Sequence, residues 1–227
     1  MTLEVSSAVQ DYAKAIYSLE QRCEDGGAVS TNALAARMGV SAASASSMVK
    51  KLDGLGLVEH VPYRGVVLTE RGMGVALEVL RHHRLLERFL VEELNVPWDR
   101  VHDEAEVLEH VLSEELEELI AAKLGHPTID PHGDPIPTAD LKIVELATVG
   151  MDTLDVGDTG RFVRVSDSDP EMLRYLGARG ITPGDLFEIV DKQPFGGPVF
   201  ARFGGADEIH PLGGLLAAAM RVEVSAR

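Results

Sequence analysis

The feature that most constrains this chain is a change of pattern at a proline-rich segment. From Ser7 to Leu124 apolar residues recur at helical spacing. Beyond His126-Pro127-Thr128-Ile129-Asp130-Pro131-His132-Gly133-Asp134-Pro135-Ile136-Pro137, which holds four prolines, they come in short β-type runs. One uniform architecture does not accommodate both patterns. The chain is therefore helical first and sheet-forming last, with an ordered, non-helical connector between the two.

Between Ser7 and Arg22 the residues Val9, Ala13, Ile16, Tyr17 and Leu19 recur at helical spacing, with Ser6 or Ser7 as the cap. Thr31 and Asn32 are placed to cap a second helix, Ala33 to Met38, which Gly39 stops; a third restarts at Val40-Ser41 and runs through Leu52. Two short helices joined by a glycine turn make a helix-turn-helix. Small residues from Ala42 to Ser47, followed by Lys50-Lys51, let the third helix approach a groove closely. Leu57 to His60 and Val66 to Thr69 flank a turn at Pro62-Tyr63-Arg64-Gly65 and predict a hairpin, which in this position is a wing. A small helical domain with an unrelated hairpin is the plainer alternative.

Gly72-Met73-Gly74 then opens a long helix, Val75 to Leu94, and a second is expected from Trp98-Asp99 to about Leu124, both dense in apolar positions and suited to dimerisation. Past the connector, Val144 to Val149, Gly160 to Val165, Leu186 to Val190, Val199 to Phe203 and Met220 to Val224 predict strands of a small barrel, interrupted by one helix, Pro170 to Leu176. The fold class is mainly α with a small β-barrel. The expected division is a winged helix-turn-helix in residues 1–73, a helical metal-binding and dimerisation domain in 74–143, and the barrel in 144–227.

At 227 residues with 45% apolar content the chain is long enough for a sizeable core. No apolar run reaches the length of a membrane span, and Met1-Thr2-Leu3-Glu4 lacks the basic-then-apolar order of a secretion signal, so a cytoplasmic protein with no membrane partner is expected. The lone Cys23 forms no intramolecular disulfide and no thiolate cage, which leaves nitrogen and oxygen ligands for any metal. The net charge of −16 is unusual for a DNA binder, but residues 1–75 hold seven Lys/Arg against eight Asp/Glu, so nearly all the excess lies downstream. Bound divalent cations would neutralise part of it.

The chemistry concentrates in His102-Asp103-Glu104-Ala105-Glu106-Val107-Leu108-Glu109-His110. On one continuous helix His102, Glu106, Glu109 and His110 are i, i+4, i+7 and i+8 and share a face. His83 and Glu87 share a face of the preceding helix. Imidazoles with several carboxylates suit Mn(II) and Fe(II). A solvated acidic face is the alternative, although Glu106, Glu109, Glu114 and Glu115 pile like charge on one helix unless a cation is shared. A hydrolase is disfavoured. HExxH is absent, its inverted form fails because Glu106 stands where the first His belongs, and there is no phosphate loop and no Gly-x-Ser-x-Gly elbow. The protein is not expected to be an enzyme.

Along essentially its whole length the chain resembles the diphtheria toxin repressor family of metal-activated regulators. The resemblance is carried by Asp11-Tyr12-Ala13-Lys14-Ala15-Ile16-Tyr17, by Arg81 to Arg88, by Val101 to His110, and by Arg64-Gly65 with Leu68-Thr69 and Gly72. It implies that the C-terminal part is an SH3-like barrel similar to ferrous iron transport protein A. It also implies two metal sites per subunit: a primary site of Asp11, Glu106, Glu109 and His110, and an ancillary site of His83, Glu87 and His102 completed by barrel carboxylates, assigned to Asp169 and Glu171 of the Ser166 to Glu171 stretch. Iron-responsive members carry Met at the position of Asp11 and Cys at that of Glu106. Manganese-responsive members are similar to this chain at both, so Mn(II) is the expected cofactor, Fe(II) the second choice, and Co(II), Zn(II) or Cd(II) are surrogates. Some manganese regulators have a carboxylate where Lys14 stands, which argues against a closely spaced ion pair here.

The same resemblance implies DNA contacts from Ser41, Ala43, Ser44 and Ser47, with Lys50 and Arg64 on phosphates. Hydroxyls at a helix N-terminus suit phosphate, and small apolar groups suit thymine methyls. The implied function is a repressor that binds operator DNA as a homodimer when metal is bound, controls metal-uptake genes, and takes no organic small-molecule substrate. The rivals are an iron-dependent repressor of the same family, a winged-helix regulator sensing an organic ligand, and a metalloenzyme.

Overall fold

The structure, a computed structural model, describes residues 5–21, 27–144, 146–167 and 169–225. Arg22, Cys23 and Ser168 lie outside the described residues.

Two compact units are present. The first comprises Met1–His83, Leu108–Glu114 and Pro137–Lys142. Helix α1 (Ser7–Glu20) buries Val9, Ala13 and Ile16. Helix α2 (Thr31–Met38) is capped by Ser30, whose side chain accepts from Ala33 N, one residue before the expected caps. Helix α3 (Ala42–Gly54) is capped by Ser41 and buries Ala45, Val49 and Leu52. Each fully buried leucine here contributes roughly 1.5–3 kcal/mol of transfer free energy. The hairpin of β1 (Val58–Val61) and β2 (Gly65–Leu68) is antiparallel, and Val29 bridges to Val66 along its outer side. Glu20 accepts from Leu68 N at 2.7 Å and so fastens α1 to β2; burial raises its carboxyl pKa, partly offset by that bond.

Helix α4 (Glu70–Leu94) begins about a turn earlier than Gly72-Met73-Gly74 suggests. Thr69 Oγ1 accepts from Gly72 N, capping the helix start. A Cβ at Gly72 would sit 1.9 Å from the Leu57 carbonyl oxygen. The glycine thus serves a close backbone approach and does not break the helix.

The second long helix is not continuous. Helix α5 (Val101–Leu108) ends before Glu109, and α6 restarts as Glu114–Lys123. Residues 109–111 form a turn in which Val111 N donates to Leu108 O. The His82 ring Nδ1 lies 3.0 Å from the Glu109 carbonyl oxygen, supplying that carbonyl with a partner outside the helix.

The second unit comprises Arg84–Val107, Glu115–Ile136 and Ile143–Arg227. Its six-stranded antiparallel sheet has the order β3-β8-β4-β5-β6-β7, formed by β3 (Val149–Gly150), β4 (Thr159–Val165), β5 (Leu186–Lys192), β6 (Val199–Phe203), β7 (Ile209–Leu212) and β8 (Met220–Val224). With α7 (Pro170–Gly177) and α8 (Gly214–Ala219) it encloses a core that includes Phe162, Ile189, Leu212 and Met220. Two expectations change here. Val144 and Leu146 to Thr148 are not in a strand: Val144 and Leu146 are exposed, and pairing begins at Val149. Conversely β7 is a strand despite Pro211, because it is the sheet's last strand, where the missing N–H costs no ladder bond. The connector is non-helical and pinned to β4, since Val165 N donates to His132 O. A Cβ at Gly133 would lie 1.9 Å from the Val163 carbonyl oxygen.

Candidate metal centres

The first donor cluster lies within the first unit. Asp11, on α1, has Oδ1 2.8 Å from His110 Nε2. The other ring nitrogen of His110, Nδ1, lies 2.8 Å from Gln10 Oε1. An Nδ1–H donated to Gln10 leaves the Nε2 lone pair facing Asp11, the orientation a ligating imidazole needs. Glu109 is fully buried. Its carboxylate takes both oxygens to Lys14 Nζ, at 3.0 and 2.7 Å, and its Oε2 lies 2.5 Å from His83 Nδ1. Asp11, Glu109 and His110 each place a ligand atom within 4.8 Å of the others, the compass of one ion. Because Glu109 and His110 sit in the turn after α5, their side chains are presented by a helix end and not by a helix face.

Glu106 is not among that trio. It stands two residues before the end of α5, and its carboxylate is 3.7 Å from His102 Nε2. His83, expected beside Glu87 and His102, is buried and directs Nδ1 at Glu109.

The second cluster lies within the second unit and has more members than expected. His102 Nδ1 is 3.0 Å from Asp167 Oδ2 and 3.4 Å from Glu87 Oε1. The bond to Asp167, seconded by Glu87, pushes the His102 pKa up to about 10. Burial works against Asp167, but the His102 bond holds its carboxyl below the usual range. His132, from the connector, lies with Nε2 2.8 Å from the Trp98 carbonyl oxygen, and its ring stacks on Trp98 at 5.8 Å. Its Nδ1 is buried and makes no hydrogen bond; it points toward Glu87 Oε2, 3.7 Å away. Burial disfavours charge on His132, yet the Glu87 carboxylate and Asp130 outweigh it and raise its pKa to about 9. Asp130 is buried, accepts from His132 N and Asp134 N, and lies 3.6 Å from Arg84. Burial, then the charges of Asp134 and Glu87, lifts its pKa to about 7.

A divalent ion fits both donor sets. Each combines carboxylate oxygens with imidazole nitrogens, which suits a borderline-hard cation. In the second, the His132 Nδ1 without a hydrogen bond, spaced 3.7 Å from a carboxylate oxygen, matches two ligands of a shared ion at about 2.1 Å each. Glu87, Asp130 and His132 are all buried and also lie within 4.8 Å of one another.

Asp169 and Glu171 do different work from that expected. Asp169 caps α7, accepting from Glu171 N at 3.0 Å, and the Glu171 side chain is 89% exposed. The barrel carboxylate beside His102 is Asp167, two residues earlier. A cap must point at its own helix, so Asp169 is spent locally, whereas Asp167 follows directly on β4 and is held at the register of the connector. Asp130, His132, Gln10 and Lys14 were also missed as site residues. The signal for two of them was in the chain: Asp130-Pro131-His132-Gly133-Asp134 places an acid and an imidazole in a rigid segment.

The proposed DNA-contacting residues Ser41, Ala43, Ser44, Ser47, Lys50 and Arg64 are all exposed. Ser41 accepts from Ser44 N, and the two hydroxyls lie 2.9 Å apart.

Comparison with known proteins agrees with these features. Residues 4–66 match the family described as iron dependent repressor, N-terminal DNA binding domain. Residues 69–138 match iron dependent repressor, metal binding and dimerisation domain, and 149–224 match the FeoA domain. The iron-dependent repressor IdeR of Mycobacterium tuberculosis (strain ATCC 25618 / H37Rv) is 37% identical over 134 residues, 59% of this chain and 57% of that protein, so the match spans little more than half of that relative. The diphtheria toxin repressor of Corynebacterium efficiens is 32% identical over 80% of this chain and 82% of its own. A solved structure described as a manganese-dependent transcriptional repressor in complex with manganese is 44% identical, with a TM-score of 0.87 over 96% of this chain and 100% of that one. The winged helix, the paired donor clusters and these matches together show that the chain belongs to the diphtheria toxin repressor family of metal-dependent transcriptional regulators.

Proposed function

We propose that the protein is a cytoplasmic, Mn(II)-activated repressor that binds operator DNA as a homodimer, with Fe(II) as the second candidate activator. The observation that carries the reading is the first cluster, where Asp11 of α1 meets Glu109 and His110 at the end of α5 with oxygen and imidazole donors. An oxygen-rich set favours manganese over softer ions. When bound, a divalent ion supplies charge that these side chains share. Asp11 and His110 then hold α1 fixed against the end of α5, and with it the helix-turn-helix that follows α1. Shifting an inactive-to-active ratio from 1:99 to 99:1 takes about 5.5 kcal/mol of differential binding, within reach of two sites.

The exposed face of α3 supports DNA contact. Ala43, Ser47 and Lys50 are spaced at i, i+4 and i+7, and Ser41 and Ser44 present hydroxyls at the helix N-terminus, where phosphate is favoured. Dimerisation is supported by exposed Val107, Leu116 and Leu119 on α5 and α6. No helix among the described residues is long and apolar enough to cross a membrane. By role the chain divides at residues 73 and 143 into DNA-binding, metal-binding and barrel parts, and the target genes are those of metal uptake.

The test is a mobility shift of operator fragments with chelator-treated protein titrated with Mn(II), Fe(II) under anaerobic conditions, Co(II) and Zn(II) at fixed ionic strength. Retention that requires metal, with Mn(II) effective at micromolar levels, is expected. Retention indifferent to metal would demote both clusters to structural ion pairs and favour an organic effector.

A further inference from the structure

We propose that Lys14 is a built-in competitor for the cation of the first cluster, setting the metal concentration at which that cluster fills. This rests on the reading of the cluster as a metal centre. Lys14 follows Asp11 by three residues on α1, so both side chains leave the same face. Its ammonium lies 2.7 and 3.0 Å from the two Glu109 oxygens and 3.2 Å from His83 Nδ1. These are carboxylate and imidazole atoms of the kind a divalent ion takes. The Lys14 side chain is 14% exposed and the Glu109 side chain 0%.

A carboxylate removed this completely from water is strongly unfavourable without a positive partner. The Lys14 ammonium meets that need in the metal-free chain. The arrangement is complete as it stands, since both Glu109 oxygens are engaged by one ammonium. An ion cannot take those oxygens while the ammonium stays between them, so metal entry requires Lys14 to swing away along its flexible four-carbon stem. The cluster then has two occupants that exclude each other. Apparent metal affinity is lowered in proportion to the fraction of molecules in which Lys14 has withdrawn. The same residue therefore stabilises the metal-free fold and weakens metal binding.

Those two effects have opposite signs, which makes them testable together. Lys14→Met and Lys14→Gln variants are stripped with chelator, melted by circular dichroism, and titrated with Mn(II) calorimetrically. For Lys14→Met the metal-free melting temperature falls by several degrees while Mn(II) binds the first cluster about tenfold more tightly, a shift of about 1.4 kcal/mol. Lys14→Gln, which keeps a hydrogen-bonding group without the charge, shows the same directions with smaller size and serves if the Met variant does not fold without metal. Unchanged or weaker Mn(II) binding in both variants, against a wild type that binds, overturns the competitor role alone. A wild type whose Mn(II) titration is the same with and without Asp11→Asn overturns the metal-centre reading and the competitor with it.

Discussion

In the first cluster the buried carboxylate of Glu109 is matched by a lysine ammonium and an imidazole, at hydrogen-bond distance. In the second, the buried carboxylate of Glu87 is faced by the rings of His102 and His132, while Arg84 serves Asp130 and Asp134 further out. The same family of donors is thus neutralised in two ways. A lysine carries its charge throughout the physiological range, whereas an imidazole must take up a proton to become a partner. Glu109 thus has a permanently charged partner beside its imidazole, whereas Glu87 faces two imidazoles whose charge depends on pH.

The largest test of this contrast removes the central acid of the second cluster. Glu87→Ala deletes the carboxylate that both imidazoles face. Losing even an outer partner of a ligand costs roughly 10–100-fold in affinity, so loss of Glu87 is expected to weaken Mn(II) binding there by more than about 100-fold. Calorimetry should then show one binding event per subunit lost and the other preserved within about threefold. Loss of both events together would break the contrast, because the clusters would not be energetically separate.

The second test is pH. Three groups in this cluster have raised pKa values: His102 to about 10, His132 to about 9 and Asp130 to about 7. A raised value means that the folded state binds the proton more tightly than the unfolded chain. The stabilisation from the imidazoles is therefore complete below about pH 6.5 and is lost as pH rises toward 9–10; that from protonated Asp130 is lost earlier, between pH 3.8 and about 7. Metal requires the opposite state, with neutral rings and an ionised carboxyl. Raising the pH from 6.5 to 9 should lower the melting temperature of chelated protein while tightening Mn(II) binding, with up to about two protons released per ion. A melting temperature that climbs over this range would remove protonation as the balancing device.

The same difference explains what could be read from the sequence. The helix-turn-helix and wing were legible because their signals are local: Gly39 after α2, small residues in α3, and turn residues before β2. The donor side chains of α4 and α5 could also be listed from spacing, which puts His83 on one face with Glu87 and His102 on one face with Glu106. The break after α5 was not legible, since the apolar pattern continues through Val111 and Leu112 and the turn is stabilised by His82, remote in sequence. Asp130 and His132 were hidden for a similar reason. Prolines mark the segment as a connector, and only the pairing of His132 O with Val165 N shows that it lies along β4. Asp169 was expected as a barrel ligand from the resemblance, and in the structure its side chain caps α7, as local helix-start chemistry favours.

The choice between Asp167 and Asp169 supplies the third test. Asp167→Asn keeps the size of the side chain but removes the charge next to His102, and should weaken Mn(II) binding at the second cluster about tenfold. Asp169→Ala should leave metal binding unchanged and cost about 1 kcal/mol of stability through the lost cap of α7. Reversal of the two phenotypes would restore Asp169 as the barrel ligand.

The smallest expected effect probes how rigidly the second cluster is held. Gly177 closes α7, and a Cβ added there would lie 2.9 Å from Trp98 Nε1. The Trp98 ring stacks on His132, and its carbonyl lies 2.8 Å from His132 Nε2, so a displaced Trp98 disturbs both the plane and the anchor of one ligand. Gly177→Ala leaves every donor in place. Overpacking of this kind costs roughly 1–3 kcal/mol where the neighbours cannot move, and Trp98 is partly buried and can yield. The affinity of the second cluster should then fall about two- to threefold, with the first cluster unaffected. Metal affinity unchanged alongside a lower melting temperature would mean that His132 is positioned by the connector alone, through Val165 and Asp130, and that the indole is packing. A loss as large as that of Asp167→Asn would mean instead that His132 depends on Trp98 for its ligating geometry, making the indole as important to the site as a carboxylate.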